Sequence, residues 1–218
     1  MKKYEKILVF DFETSGLDFK NDRVIEIGLS SCKFDKDNFK FIEESNYNEF
    51  LKIDFPLSSK ITEITGISNE MLKDGKDEKE VSNYLYNILD ENTLLIAYNI
   101  QFDYNFLVNM IRRNIDSNYQ FKSDILDVMI IYKDHFTYPH KLNDAIKKFN
   151  IDFVQTHRAL DDVRMTIEVL NRLFEKVNIV KYINVLGYNP NYGIKGEKIP
   201  NCKYLRQEGN KQEIYKAA

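Results

Sequence analysis

Residues 7–18 read ILVFDFETSGLD, an apolar run that ends in two carboxylates and breaks at once into a turn. Side chains alternate faces along a strand, so Ile7, Val9, Asp11 and Glu13 share one side and Leu8, Phe10 and Phe12 the other. Asp11 and Glu13 therefore leave the same face several ångströms apart. Two carboxylates directed into one partly buried place repel unless one is protonated or a cation lies between them. Hard oxygen donors of this kind suit Mg²⁺ or Mn²⁺. A strand end fraying into solvent would show the same two letters, so the rest of the chain has to decide.

Working outward, VIEIGLSSCKF (24–34) is rich in β-branched residues, and 39–53 reads as a third strand or one broken by a loop. Three strands in succession predict an antiparallel meander. The pattern then changes. ITEITGISNEML (61–72) reads as short helical pieces around Gly66, and 79–91 as an amphipathic helix. TLLIAY (93–98) has the unbroken apolar character of a strand covered on both faces. In 101–114, Phe102, Phe106 and Met110 recur every fourth residue. Residues 123–136 read as strand or helix, or one after the other, and 141–151 as a short helix. In 159–177, Leu160, Val163, Ile167, Leu170, Phe174 and Val177 step by three and four, which predicts a packed helix. The fold class is α/β, a mixed sheet of antiparallel meander plus parallel strands flanked by helices.

Composition bounds the function. At 218 residues with 43% hydrophobic and 30% charged side chains, the chain is globular and of one-domain size. The opening MKKYEKILVF lacks the apolar core and cleavage site of a secretory leader, and no run is long enough to span a membrane. Cys32 and Cys202 stand far apart, so neither a zinc site nor a disulfide framework is indicated. A cytoplasmic location follows as the expectation. The net charge of −3 and pI near 5.7 disfavour a broad basic face for nucleic acid, unless the acids gather around bound cations. The chain divides into a domain over 1–177 and a basic extension over 178–218. In the extension seven Lys and Arg face three Glu, giving +4 and leaving −7 elsewhere. It admits two readings, a disordered tail and a partner-docking segment.

Three more residues complete the constellation. Asp103 falls in the first turn of the helix after the buried strand, where the helix dipole favours an acid in any case. Asp162 opens the last helix. His157 lies five residues earlier, a spacing that brings the two together if His157 is in the loop and Asp162 in the first turn. An imidazole there suits a general base at neutral pH. His135 and His140 have no acidic companion at a telling spacing and read as surface or packing residues.

The motifs D-x-E-T-x-G from Asp11, N-x-x-F-D from Asn99 and H-x-A-x-x-D from His157 resemble, in that order, the DEDDh family of 3′–5′ exonucleases. The match is with its DnaQ-like group, which includes proofreading subunits of bacterial replicative polymerases, and it covers about residues 5–177. The resemblance implies a ribonuclease H-like sheet with Asp11, Glu13, Asp103 and Asp162 around two divalent cations, Mg²⁺ or Mn²⁺. It implies that Asp11 touches both ions, that Glu13 and Asp162 hold the ion carrying the attacking water, and that Asp103 acts largely through water. His157 matches the general base. Thr14 and Leu17 match positions that hold the terminal nucleotide, with Asn99 and Phe102 lining the same pocket. The implied substrate is the 3′ end of a single strand, DNA favoured, and the product a 5′-mononucleotide. Two departures are Tyr98 and Thr65, where such proteins often carry His. HRALDD also looks like the oligoribonuclease branch, which trims short RNA. A different class of role is an interaction subunit delivered to a DNA polymerase or repair protein by the extension.

Overall fold

The structure is a computed structural model that describes residues 1, 3–153, 156–208 and 214. β1 (Lys6–Thr14) is the centre of a five-stranded sheet in the order β3-β2-β1-β4-β5. β2 (Val24–Asp35) pairs antiparallel with β1, and β3 (Lys40–Phe50) antiparallel with β2, so the predicted meander forms. β4 (Thr93–Ala97) and β5 (Asp124–Asp127) add parallel on the other side. Every residue of β4 is buried, as its unbroken apolar run requires. Residues 39–53 form one strand only to Phe50.

Between β3 and β4 lie α1 (Ser59–Thr65), α2 (Asn69–Leu72) and α3 (Glu78–Ile88). Ser58 and Ser68 cap the first two with their side chains, and Gly66 ends α1 in a left-handed conformation. α4 (Ile100–Asn114) follows β4 and packs against α3. The ambiguous stretch 123–136 resolves as β5 followed directly by α5 (Val128–His135). α6 (Leu142–Lys148) leads to α7 (Ala159–Phe174), which lies across β1, β2 and β3. Its apolar stripe supplies Val163, Ile167 and Leu170 to the main core.

The extension folds back onto the domain from a 3-10 turn (Ile179–Tyr182) through β6 (Val185–Tyr188) and β7 (Lys203–Arg206), a parallel pair of their own. Asn184, at φ 57, acts as a side-chain clamp on the sheet edge. Its Nδ2 donates to Asp124 at 2.6 Å and its Oδ1 accepts from the Ile125 backbone at 2.9 Å. Among the described residues no helix is long and apolar enough to cross a membrane. Cys32 and Cys202 are both free thiols.

Candidate active site

Asp11, Glu13 and Asp162 each offer a carboxylate oxygen, and these oxygens lie within 4.8 Å of one another. The strand pleat puts the first two on one face. The third arrives because α7 starts over the same face of β2. In the β1–β2 register Asp11 opposes Gly28 and Glu13 opposes Glu26. A Cβ at Gly28 would stand 2.4 Å from the backbone of Ala159 and Leu160, so only glycine lets the helix start approach this closely. Glu26, with no exposed surface, accepts from Arg158 at 2.8 Å and from the Ala159 backbone at 3.2 Å. This ion pair fastens the first turn of α7 to the strand, and Asp162 follows within that turn.

Asp103 is buried at 2% exposure in the first turn of α4. Its Oδ1 accepts from the Phe12 backbone at 3.1 Å, which ties α4 to β1 between the two strand carboxylates. It is not one of the three acids whose oxygens converge. α4 is aimed by Asp127, at the end of β5. This buried carboxylate accepts from Asn99 N at 3.2 Å and Ile100 N at 3.1 Å, at the start of α4. It also accepts from Met129 N at 2.9 Å and Ile130 N at 3.3 Å, at the start of α5. Burial still pushes its carboxyl up to about 6 against those four donors. Asp127→Ala would leave all four N–H groups without a partner and cost about 2–4 kcal/mol. Asp127→Asn keeps Oδ1, which serves three of the four, and should melt closer to the wild type. Equal melting temperatures for Asp127→Ala and wild type would refute this anchoring role.

The electrostatics are those of a site short of positive charge. Burial raises the Glu13 carboxyl to about 8, with further contributions from the negative charges of Asp162, Glu26 and Asp103, while Arg158 opposes them. Asp162 is pushed up to about 7 by burial and by Asp161 and Glu26. Asp11 and Asp103 are both driven well above the ordinary carboxyl range, chiefly by burial. Asp162 Oδ1 is buried and accepts no hydrogen bond from the described residues. An acceptor-only oxygen left without a donor, among carboxylates that raise one another's pKa, fits a hard divalent cation as the missing partner.

The remaining expected residues lie at the ends of elements and in the turns beside them. His157 sits in the loop before α7, exposed, with a left-handed φ of 51, and Asp162 is in the first turn. Thr14 is buried and its hydroxyl donates to Gly16 O at 2.6 Å. Leu17 projects into solvent at 82% exposure. Asn99 is the left-handed cap of α4, and Leu17, Asn99 and Phe102 line one groove. Tyr98 donates to the His140 carbonyl at 2.8 Å, and Thr65 closes the end of α1 through its hydroxyl, so both departures have structural uses. His140 and His135 bond to Phe136 O and the Tyr182 hydroxyl. Glu26, Gly28, Arg158 and Asp127 escaped the reading of the sequence. The one available signal was an acid inside the β-branched run VIEIGLS, which a buried strand admits only with a partner.

A family model described as Exonuclease (RNase_T) matches residues 8–170. The chain is 32% identical over 204 residues to a DNA polymerase III of PolC type from Thermotoga petrophila, covering 92% of this chain and 14% of the relative. It is 31% identical over 175 residues to the Bacillus subtilis polymerase of the same type, covering 78% of this chain and 12% of the relative. The chain thus spans a small fraction of the length of these relatives. Escherichia coli exonuclease I in complex with a dT13 oligonucleotide shares the fold at a TM-score of 0.64 and 19% identity, over 77% of this chain and 40% of that one. Exonuclease I from Methylocaldum szegediense does so at 0.66 and 20%, over 78% and 40%. A converging acid cluster on a ribonuclease H-like sheet, within a match that runs from β1 into α7, places the chain in the exonuclease family, among the DnaQ-like 3′–5′ exonucleases.

Proposed function

We propose that the chain hydrolyses single-stranded nucleic acid from the 3′ end, DNA in preference to RNA, releasing 5′-mononucleotides with the help of two divalent cations. The observation that carries this reading is the convergence of Asp11, Glu13 and Asp162, with Asp162 Oδ1 lacking a donor among the described residues. These three carboxylates would hold Mg²⁺ or Mn²⁺, with Asp103 acting through water. When bound, such ions stabilise the attacking and leaving oxygens of the displacement. His157, in the loop before α7, takes the proton of the attacking water. Leu17 wedges against the terminal base, Thr14 offers its backbone, and Asn99 and Phe102 line the pocket beyond. The acidic charge of the domain is then a requirement of the cations rather than an obstacle to the substrate.

The test uses 3′-labelled single-stranded DNA and RNA with Mg²⁺ or Mn²⁺, and parallel samples in EDTA. Labelled mononucleotide should appear from the 3′ end, faster from DNA, and disappear with EDTA. Faster release from RNA would move the reading to an exoribonuclease. Release from neither, or release unaffected by EDTA, would sink it.

The PolC-type relatives, of which this chain matches 14% or less, favour a second reading. In it the chain serves as the exonuclease unit of a replicative or repair polymerase, docked through residues 178–218. Co-elution with a purified polymerase on gel filtration would support it, and independent elution would oppose it.

A further inference from the structure

The extension closes one side of a groove of about 400 Å³. That is the scale of a small-ligand site, roughly 300–1,000 Å³. Its lining includes Leu17, Asn99 and Phe102, and Phe102 directly precedes Asp103. It also includes Tyr188, Tyr192 and Lys195 from the extension and Lys133 of α5. A single exposed aromatic needs no explanation. Here Tyr192, at 77% exposure, shares one groove with two further tyrosines, Tyr188 and Tyr204, and two lysines.

The extension side of the groove is held firmly. Asn105, buried on α4, donates to Lys195 O at 3.0 Å and accepts from Glu197 N at 3.3 Å. Arg112 grips the Glu197 carboxylate with two bonds, at 2.6 and 3.1 Å. Between these anchors Gly196 has φ +85, and a Cβ there would lie 2.2 Å from Asn105 Oδ1, so the backbone is pressed against α4 at a point only glycine allows. Gln207, 1% exposed, donates to Ile130 O at 3.1 Å, and its backbone N donates to Tyr188 O at 2.8 Å. Lys133 donates to Gln207 O at 2.9 Å, which leaves its ammonium two further donors.

We propose that this groove binds the nucleotides immediately 5′ of the terminal one in a single-stranded nucleic acid, Tyr188 and Tyr192 stacking on bases and Lys133 and Lys195 facing phosphates. The assignment rests on the exonuclease reading above. Aromatic faces interleaved with cations are the chemistry that holds single strands without regard to sequence, because every base has a π-face. A paired duplex would keep those faces stacked and out of reach. Among the described residues Asp127 is the one carboxylate lining the groove, and its oxygens are occupied by four backbone N–H groups. Leu17, Asn99 and Phe102, assigned to the terminal nucleotide, line the same groove, so one strand can contact both sets of residues.

The test measures two things on the full chain and on Tyr192→Ala and Lys195→Ala. One is the affinity for 5′-fluorescein-dT12 by anisotropy in Ca²⁺. The other is hydrolysis of the p-nitrophenyl ester of thymidine 5′-monophosphate, which presents a terminal nucleotide alone. Each variant should weaken dT12 binding about tenfold. Lys195→Ala should also reduce the slope of log affinity against log salt by about one unit. Both variants should hydrolyse the ester at the wild-type rate. Unchanged dT12 affinity in both variants, or no dT12 binding by the wild type, overturns the proposal. Equal loss on dT12 and on the ester overturns it too, since the residues would then only support the fold. Tyrosine- and lysine-dependent dT12 binding without hydrolysis of either substrate would keep the groove and reject the exonuclease reading.

Discussion

Asp11→Asn should lower 3′-end hydrolysis by about a thousandfold or more, roughly 4 kcal/mol of transition-state stabilisation, and raise the melting temperature of the metal-free protein. Both effects have one cause. Asp11 sits among Asp103, Asp162, Glu13 and Glu26, whose negative charges add to its burial in driving its carboxyl up. Asparagine is neutral at every pH, so the variant is free of a repulsion that the wild type relieves only by taking up a proton or a cation. The same argument sets a pH dependence. Glu13 and Asp162 titrate near 8 and 7 in the folded chain, above the ordinary carboxyl value of about 4. Between those values the folded state binds more protons than the unfolded state. Stability without metal is therefore full below pH of about 4 for these groups and declines as pH rises towards 8. Thermal melts in EDTA between pH 5 and 8.5 should show a falling Tm, flatter in Asp11→Asn, and Mg²⁺ should restore more stability to the wild type than to the variant. A variant that melts below the wild type in EDTA, or that retains hydrolysis, would contradict the cluster as described.

Gly28→Ala should be strongly destabilising. The new Cβ would meet the Ala159 and Leu160 backbone at 2.4 Å, and backbone cannot swing aside as a flexible side chain can. The start of α7 must lift from β2, against the Glu26–Arg158 pair that holds it. The expected cost is about 3 kcal/mol, or roughly 6–12 °C in Tm for a chain of this size. Asp162 moves with the helix, so hydrolysis at a temperature where the variant is still folded should fall about a hundredfold, the usual effect of ångström-scale misplacement. Circular dichroism melts and single-strand hydrolysis check both halves. Wild-type values for either would mean that this close approach does not set the position of Asp162.

Much of the site was legible because local periods reveal it. The two-residue period of β1 placed Asp11 and Glu13 on one face, and the three-and-four stepping of α7 put Asp162 beside a packed stripe. The order of motifs then pointed to the family, which the match over residues 8–170 bears out. The boundaries of the short elements were also local, since Ser58, Ser68 and Asp127 cap from their own sequence neighbourhood. Residues 178–218 gave no period to read. They fold from 179 to 206 because Asn105, Asn184 and Gln207 satisfy backbone groups across the chain, an arrangement with no short-range signature.

The amino-acid sequence by itself determined which chemistry was present, namely acids on one strand face, an acid at each of two helix starts and a histidine before the last. Only the tertiary structure decided that three of those acids share a space 4.8 Å across, that Asp103 turns to a backbone N–H, and that the extension lines one groove with Leu17, Asn99 and Phe102. The reason is the range of the interactions. A pleat or a helical turn is set by neighbours along the chain, whereas the convergence at Asp11 depends on helix-to-strand contact at Gly28 and on an ion pair between residues 132 apart in sequence.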